Sequence, residues 1–293
     1  MILMVSGRTD IVAFYSKWFM NRYRIGYVDV RNPFYEKSVS RIHLDNVDGI
    51  LFCTKNPLPI IKYLKEIDKP ILFHITLTPY KEDIEPNVIS KKDIINGIKE
   101  ISKIIGVDNI YIRYDPIFIS DKYNIEYHIK AFDKICSLLD GYVKHIIISF
   151  LDEYKNVKKN KDIIKYRELT KEDYKTIGIN FASSAKKHNM TVQTCCEKED
   201  LTEYGFIKDD CLSPMIAYKL TGKANYPLWK KRDCNCVGMV DIGYYNSCSH
   251  LCKYCYANYD ESRIKDNIKK HNPNSSLLIG EIYSDDIIKE RYK

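Results

Sequence analysis

Three cysteines near the end of the 293-residue chain, Cys248, Cys252 and Cys255, follow the spacing C-x3-C-x2-C. Thiolates grouped this closely in one loop are suited to binding thiophilic metals. Three of them can hold three irons of a [4Fe-4S] cluster, which leaves the fourth iron without a cysteine from the loop. The spacing therefore predicts an iron-sulfur site with one iron open to a small ligand.

Four other cysteines are candidates for a second metal site, namely Cys195, Cys211, Cys234 and Cys236. Four thiolates suffice for a second [4Fe-4S] cluster, but these residues could instead complete the first cluster or be structural. Structural zinc is a further alternative, because Cys234 and Cys236 could complete a four-ligand set with two other cysteines. Cys196 is expected to face away from Cys195, since side chains alternate along a strand.

Composition limits the classes of protein that the chain can belong to. A length of 293 residues and 45% hydrophobic content support a sizeable core. No signal peptide and no run of about 18 apolar residues is found, so we expect a cytoplasmic protein without a membrane partner. A reducing compartment favours metal binding over disulfides. The net charge of +7 comes with dispersed lysines, which does not favour nucleic-acid binding.

Short β-branched runs alternate with helical patterns, which is typical of β/α units around a parallel sheet. Helix starts are predicted at Asp10, Ser90 and Thr170. We expect an α/β fold, a partial TIM-type β/α barrel over residues 1–200, a Cys-rich segment packed on it over 201–259, and a charged tail over 260–293. A hairpin or excursion is expected between Gly26 and Leu44. The predicted strands are Ile2–Ser6, Gly49–Cys53, Ile71–Leu77, Ile110–Tyr114, His145–Phe150 and Met190–Cys195.

Polar residues follow several of these strands. In a β/α barrel, functional side chains lie at the carboxyl ends of the strands. The candidate catalytic residues are therefore Arg8, Asp10, Lys55, Arg113 and Asp115. A helix cap at Asp10 and a buried Arg113–Asp115 ion pair are the structural alternatives.

Two histidines have simpler interpretations. His74 lies on a strand face, where a core histidine with satisfied hydrogen bonds is more common than a catalyst. His250 lies inside the cysteine loop and is expected to form hydrogen bonds there.

The stretch CSHLCKYCYAN resembles the signature of radical S-adenosylmethionine enzymes, and CKYCYAN is similar to the spore photoproduct lyase branch. The resemblance implies that Cys248, Cys252 and Cys255 bind a [4Fe-4S] cluster and that S-adenosylmethionine chelates the open iron. It also implies that Tyr254 packs near the adenine and that the fold is a partial barrel of six β/α units. In that superfamily the signature usually follows the first strand, so here the carboxyl-terminal loop is expected to fold back over the barrel mouth.

The whole chain resembles the uncharacterised DUF1848 family up to about Asn258. The motifs that carry this resemblance are SGRTDIVAFYSKWFMNR, VRNPF, TKNP, TLTPY, RYDPI, QTC and DIGYYNSCSHLCKYCYAN. The family implies no established reaction, but the five candidate catalytic residues lie within its motifs.

These observations predict a radical S-adenosylmethionine-like iron-sulfur enzyme acting on an unknown substrate. Arg8, Lys55 and Arg113 would bind an anionic substrate, and Asp10 and Asp115 would orient it or the cofactor. A ferredoxin or flavodoxin would supply electrons. Two alternatives stay open: an iron-sulfur protein for electron transfer or sensing, and a zinc-stapled nucleic-acid-binding module suggested by the basic charge and 24 tyrosines.

Overall fold

The structure, a computed structural model, describes residues 1–229 and 234–291. All six predicted strands are confirmed with small shifts at their ends, as β1 and β4 to β8. The strands are β1 (Ile2–Val5), β2 (Tyr27–Asn32), β3 (Tyr35–His43), β4 (Gly49–Thr54), β5 (Ile71–Thr76), β6 (Ile110–Ile117), β7 (His145–Phe150), β8 (Thr191–Thr194), β9 (Met239–Asp241) and β10 (Ile287–Arg291).

The main sheet has seven parallel strands in the order β8-β7-β6-β5-β4-β1-β9. From β1 to β8, each of its strands lies beside the next one along the chain, so right-handed crossovers put the connecting helices on one face. The short strand β9, which was not predicted, extends the sheet beside β1. No pairing of β8 with β9 appears in the described part of the chain. The mixed α/β class is therefore confirmed, whereas closure into a barrel is not shown.

The helices begin at the predicted caps. Asp10 and Ser90 accept backbone N–H groups of the first helical turn, and Thr170 forms a reciprocal capping box with Asp173. The helices are α1 (Ile11–Phe14), α2 (Ser16–Ile25), α3 (Leu58–Ile61), α4 (Lys91–Ile105), α5 (Ile125–Leu139), α6 (Lys155–Lys159), α7 (Lys161–Ile164), α8 (Lys171–Lys187), α9 (Pro214–Thr221) and α10 (Glu261–Lys269). None of them, within the described residues, is long and apolar enough to cross a bilayer.

The two faces of the main sheet are covered differently. Alternating strand residues such as Leu3 and Phe52 pack against the helices in the larger core. The residues between them face the other side, which the Cys-rich segment covers with Cys211, Leu212, Ile216, Ala217, Cys236 and Val237. We call this second side the inner face, defined by Ile2, Leu51, Leu72, Tyr111 and Ile147.

A second sheet of three strands contains residues from the interval between Gly26 and Leu44 and from the tail. Strands β2 and β3 form an antiparallel hairpin, as predicted, and β10 pairs with β3 in parallel. The indole N–H of Trp18 donates to the carbonyl of Ser275 at 2.9 Å, which anchors the segment between α10 and β10. Residues 292–293 of the predicted tail and 230–233 of the Cys-rich segment lie outside the described residues.

Candidate metal centres

The cysteine loop, residues 248–255, is attached to the carboxyl ends of β1 and β4 by Asp10. One carboxylate oxygen accepts the backbone N–H of Ala13, which caps α1. The other accepts the backbone N–H of Lys55 at 2.7 Å and lies 2.9 Å from Nε2 of His250. The loop therefore lies against the carboxyl ends of β1 and β4, and the hydrogen bonds of the His250 ring reach Asp10 and the carbonyl of Asn87, which lie outside the loop.

Asn258 joins the start of the cysteine loop to the segment after β1. Its side-chain oxygen accepts the backbone N–H groups of Ser247 and Cys248 at 2.8 and 2.9 Å. Its amide nitrogen donates to the carbonyl of Arg8 at 3.0 Å. Asn258, three positions after the last cysteine, therefore holds the start of the loop against the segment after β1.

Two asparagines at α6 hold the end of the cysteine loop. The amide of Asn156 donates to the carbonyl of Cys255 at 3.0 Å, and that of Asn160 donates to the carbonyl of Lys253 at 2.7 Å. The backbone around the third cysteine is therefore fixed by α6, which follows β7.

The three thiols of the cysteine loop lie close enough to interact electrostatically with one another. Burial raises the pKa of Cys248 and of Cys252, and at Cys252 the Lys55 ammonium opposes that increase. The three sulfurs are not all within 4.8 Å of one another. Two thiolates on one tetrahedral zinc ion, each about 2.3 Å from the metal, would be about 3.8 Å apart. The donor set therefore fits a multi-iron cluster, in which each thiolate binds a different iron, better than a single ion.

A buried carboxylate that the sequence did not reveal, Glu85, lies near the second cysteine, Cys252. It accepts the Thr78 hydroxyl at 2.6 Å, pairs with the Lys55 and Lys91 ammonium groups, and accepts the Tyr254 hydroxyl. Burial alone would raise the pKa of Glu85, but the two ammonium groups outweigh it and lower the pKa to about 2. The ring of Tyr254 is thus oriented by an ionised carboxylate.

Arg113 and Asp115 lie on the inner face, with Nε of Arg113 3.0 Å from the Asp115 carboxylate. The Ser149 hydroxyl donates to the same carboxylate at 2.6 Å. Nearby, Glu197 accepts the backbone N–H of Phe150 at 2.8 Å, and burial raises the pKa of Glu197 to about 7. The ends of β6, β7 and β8 therefore carry several charged groups on one face.

A second group of thiols, which we call the thiol ring, comprises Cys195, Cys196, Cys211, Cys234 and Cys236. The sulfurs of Cys211 and Cys236 are 3.3 Å apart. Cys195 interacts with Cys196 and Cys211, while Cys234 interacts with Cys196 and Cys236. The prediction that Cys196 faces away from Cys195 was wrong, because its φ of 55° turns the chain left-handed after β8.

The predicted site residues therefore divide between two centres. Asp10 contacts the cysteine loop through His250, Lys55 lies near the Cys252 thiol, and Tyr254 lies within the loop. Arg113 interacts with Cys195 and so borders the thiol ring. Arg8 lies beside the loop: its guanidinium is 3.4 Å from the Gly243 carbonyl.

The fold and these thiol groups define a mixed α/β protein with a candidate metal-binding site in a Cys-rich segment. The chain belongs to the family described as a domain of unknown function, DUF1848, whose pattern matches residues 2–257. That range contains both thiol groups. Comparison with curated proteins gave no match.

Proposed function

We propose that this protein is an iron-sulfur enzyme of the radical S-adenosylmethionine type, with a [4Fe-4S] cluster bound by Cys248, Cys252 and Cys255. The observation that supports the proposal most strongly is the geometry of the cysteine loop. Its three thiols interact with one another without all lying within 4.8 Å of one another, and they lie at the carboxyl ends of β1 and β4. The loop provides three thiolates, so S-adenosylmethionine would bind the remaining iron.

The bound cluster would supply an electron at low potential, since the reduction potentials of such clusters reach down to about −700 mV. This electron would cleave S-adenosylmethionine. Ferredoxin or flavodoxin would be the donor that reduces the cluster. The chain's own residues position this chemistry. Asp10 fixes the loop through His250, while Lys55 contributes positive charge next to the buried Cys252 thiol. Tyr254, held by Glu85, would pack near the adenine.

The inner face would form the substrate site. We expect the ordered strands to curve into a partial barrel, which would bring Arg8 and the Arg113–Asp115 pair toward one cavity. Arg113 would bind an anionic group of the substrate, and Asp115 would hold its guanidinium in place.

Anaerobic reconstitution tests the proposal. The full chain, reconstituted with iron and sulfide, should gain about four irons and, after reduction, convert S-adenosylmethionine to 5′-deoxyadenosine. Cys252→Ser should lose both the iron and the product. Cys136→Ser, which changes a buried thiol in α5 outside both groups, should keep both.

A fully loaded cluster without 5′-deoxyadenosine would reject radical chemistry. If added S-adenosylmethionine also left the EPR signal of the reduced cluster unchanged, the electron-transfer or sensing alternative would be favoured. Zinc without iron in the anaerobically isolated protein would reject the iron-sulfur assignment of the loop.

A further inference from the structure

The thiol ring connects parts of the chain at opposite edges of the main sheet. Cys195 and Cys196 directly follow β8, which is one edge strand. Cys236 lies shortly before Met239, the first residue of β9 at the other edge. The thiol ring therefore lies where the Cys-rich segment, which covers the inner face, reaches the carboxyl end of β8.

The spacing of the thiol ring differs from that of the cysteine loop. Cys211 and Cys236 are 3.3 Å apart at their sulfurs, and ligand atoms of Asp210, Cys234 and Cys236 all lie within 4.8 Å of one another. Two thiolates on one tetrahedral zinc ion would be about 3.8 Å apart. A [4Fe-4S] cluster would instead place each thiolate on a different iron. The compact spacing therefore favours a single ion.

The surroundings of the ring contain polar groups as well as the apolar covering. Cys211 and Cys236 are buried, and Arg113 interacts with Cys195 at the ring's border. His74, also on this side of the sheet, is 2% exposed and its Nε2 has no hydrogen-bond partner. Burying a polar atom without a hydrogen-bond partner costs free energy, so a purely apolar core does not explain why His74 is buried here.

We propose that the thiol ring is a structural zinc site, separate from the iron-sulfur loop. Cys234, Cys236 and the Asp210 carboxylate, whose ligand atoms all lie within 4.8 Å of one another, supply three ligands, and Cys211, whose sulfur is 3.3 Å from that of Cys236, supplies the fourth. The ion ties Asp210 and Cys211 to Cys234 and Cys236 beside the inner face, where the side-chain amide of Gln193 in β8 donates to the Asp210 carbonyl at 3.1 Å. This site does not depend on the proposed radical chemistry.

Metal analysis of single variants separates the two centres. The full chain, isolated without oxygen, should contain about one zinc per chain, and Cys236→Ser should lose it while keeping the loop's iron. Cys252→Ser should show the reverse pattern, losing iron and keeping zinc. Cys136→Ser should keep both metals. Zinc retained by Cys236→Ser, or iron lost from it in place of zinc, would overturn the proposal.

The wild-type chain provides a test that does not depend on folding of a variant. Replacement of zinc by cobalt should give the visible bands of tetrahedral thiolate-bound cobalt, and Cys211 and Cys236 should be protected from alkylation until the metal is removed. A chain that binds no cobalt with these bands, or that contains a Cys211–Cys236 disulfide when isolated, would contradict a zinc site. Neither result depends on whether 5′-deoxyadenosine is formed.

Discussion

The carboxylate of Asp10 lies 2.9 Å from Nε2 of His250, although 240 positions separate the two residues in the chain. The same carboxylate caps α1 and accepts the backbone N–H of Lys55. Both side chains are buried, so water does not compete for these bonds. One side chain thus fixes the cysteine loop relative to β1 and β4, and these contacts favour a positioning role for Asp10 over direct contact with the substrate.

Asp10→Asn should therefore weaken the iron site. Asparagine still caps a helix, but its amide cannot accept the Lys55 N–H and serve His250 as the carboxylate does. We expect a loss of about 1–3 kcal/mol in the free energy of unfolding and iron binding reduced by at least about half. Urea unfolding and iron analysis after reconstitution measure these effects.

The control for this change is Asp108→Asn, which alters an exposed carboxylate that pairs with Lys144 on the surface. It should leave iron content unchanged. Full iron content and unchanged unfolding in Asp10→Asn would show that the Asp10–His250 contact does not hold the loop.

The strands and helix starts could be predicted because they depend on local pattern. β-branched runs and capping residues such as Ser90 and Thr170 lie next to the elements they specify. Strand β9 was missed because three residues, Met239–Asp241, carry no periodicity and are defined only by pairing with β1. The partial barrel was expected from the repeated β/α pattern, but closure depends on long-range pairing, and the described strands show no pairing between β8 and β9.

Glu85→Gln should destabilise the protein strongly. It removes the charge that compensates Lys55 and Lys91, whose side chains are 13% and 33% exposed. Breaking a buried pair by removing one partner costs about 3–5 kcal/mol, and the partial exposure of Lys91 places the expected loss near the lower value. The measurement is urea unfolding at neutral pH.

Glu126→Gln is the matched control, because Glu126 is 74% exposed and pairs with Lys130 on the surface of α5. Its unfolding curve should coincide with that of the wild type. Equal curves for Glu85→Gln and the wild type would mean that the two lysines do not require this carboxylate.

Tyr254→Phe removes the hydroxyl and keeps the ring, so it measures the contribution of the hydroxyl alone to stability. The hydroxyl donates to Glu85, so its loss should lower the free energy of unfolding by about 1 kcal/mol. The ring should keep its place beside Tyr80. Iron content should not change. Tyr254→Ala removes the packing as well and should cost about 3–5 kcal/mol. Equal losses in the two variants would show that the ring contributes nothing to stability.

Glu85 and the thiol ring show why parts of the site could not be predicted. Glu85 lies in the polar stretch YKEDIEP, which is typical of an exposed turn, and only Lys55 and Lys91 make its burial favourable. Cys196 was placed on the wrong side because strand alternation ends where its φ becomes positive. For Glu85 the decisive contacts come from other elements, and for Cys196 the decisive feature is a left-handed backbone conformation at a residue that is not glycine; the sequence pattern signals neither.

Stability should fall between pH 6.5 and 4 because of His128. This histidine is fully buried, with Nδ1 2.9 Å from the Tyr114 hydroxyl and Nε2 3.0 Å from the Phe118 carbonyl. Burial lowers the pKa of His128 to about 4, against about 6.5 in the unfolded chain. Between these values the unfolded state binds more protons than the folded state. The stabilisation is therefore complete above about pH 6.5 and lost as the pH falls, by up to about 3 kcal/mol.

Urea unfolding across that pH range tests the contribution of His128, because His128→Asn removes the titrating group and should flatten the dependence on pH by about the same amount. Ile177→Val is the control: it removes one methylene from the buried face of α8 and changes no titrating group, so it should lower stability at every pH while preserving the slope. Parallel slopes in the wild type and His128→Asn would mean that the buried imidazole is not what makes the protein acid-sensitive.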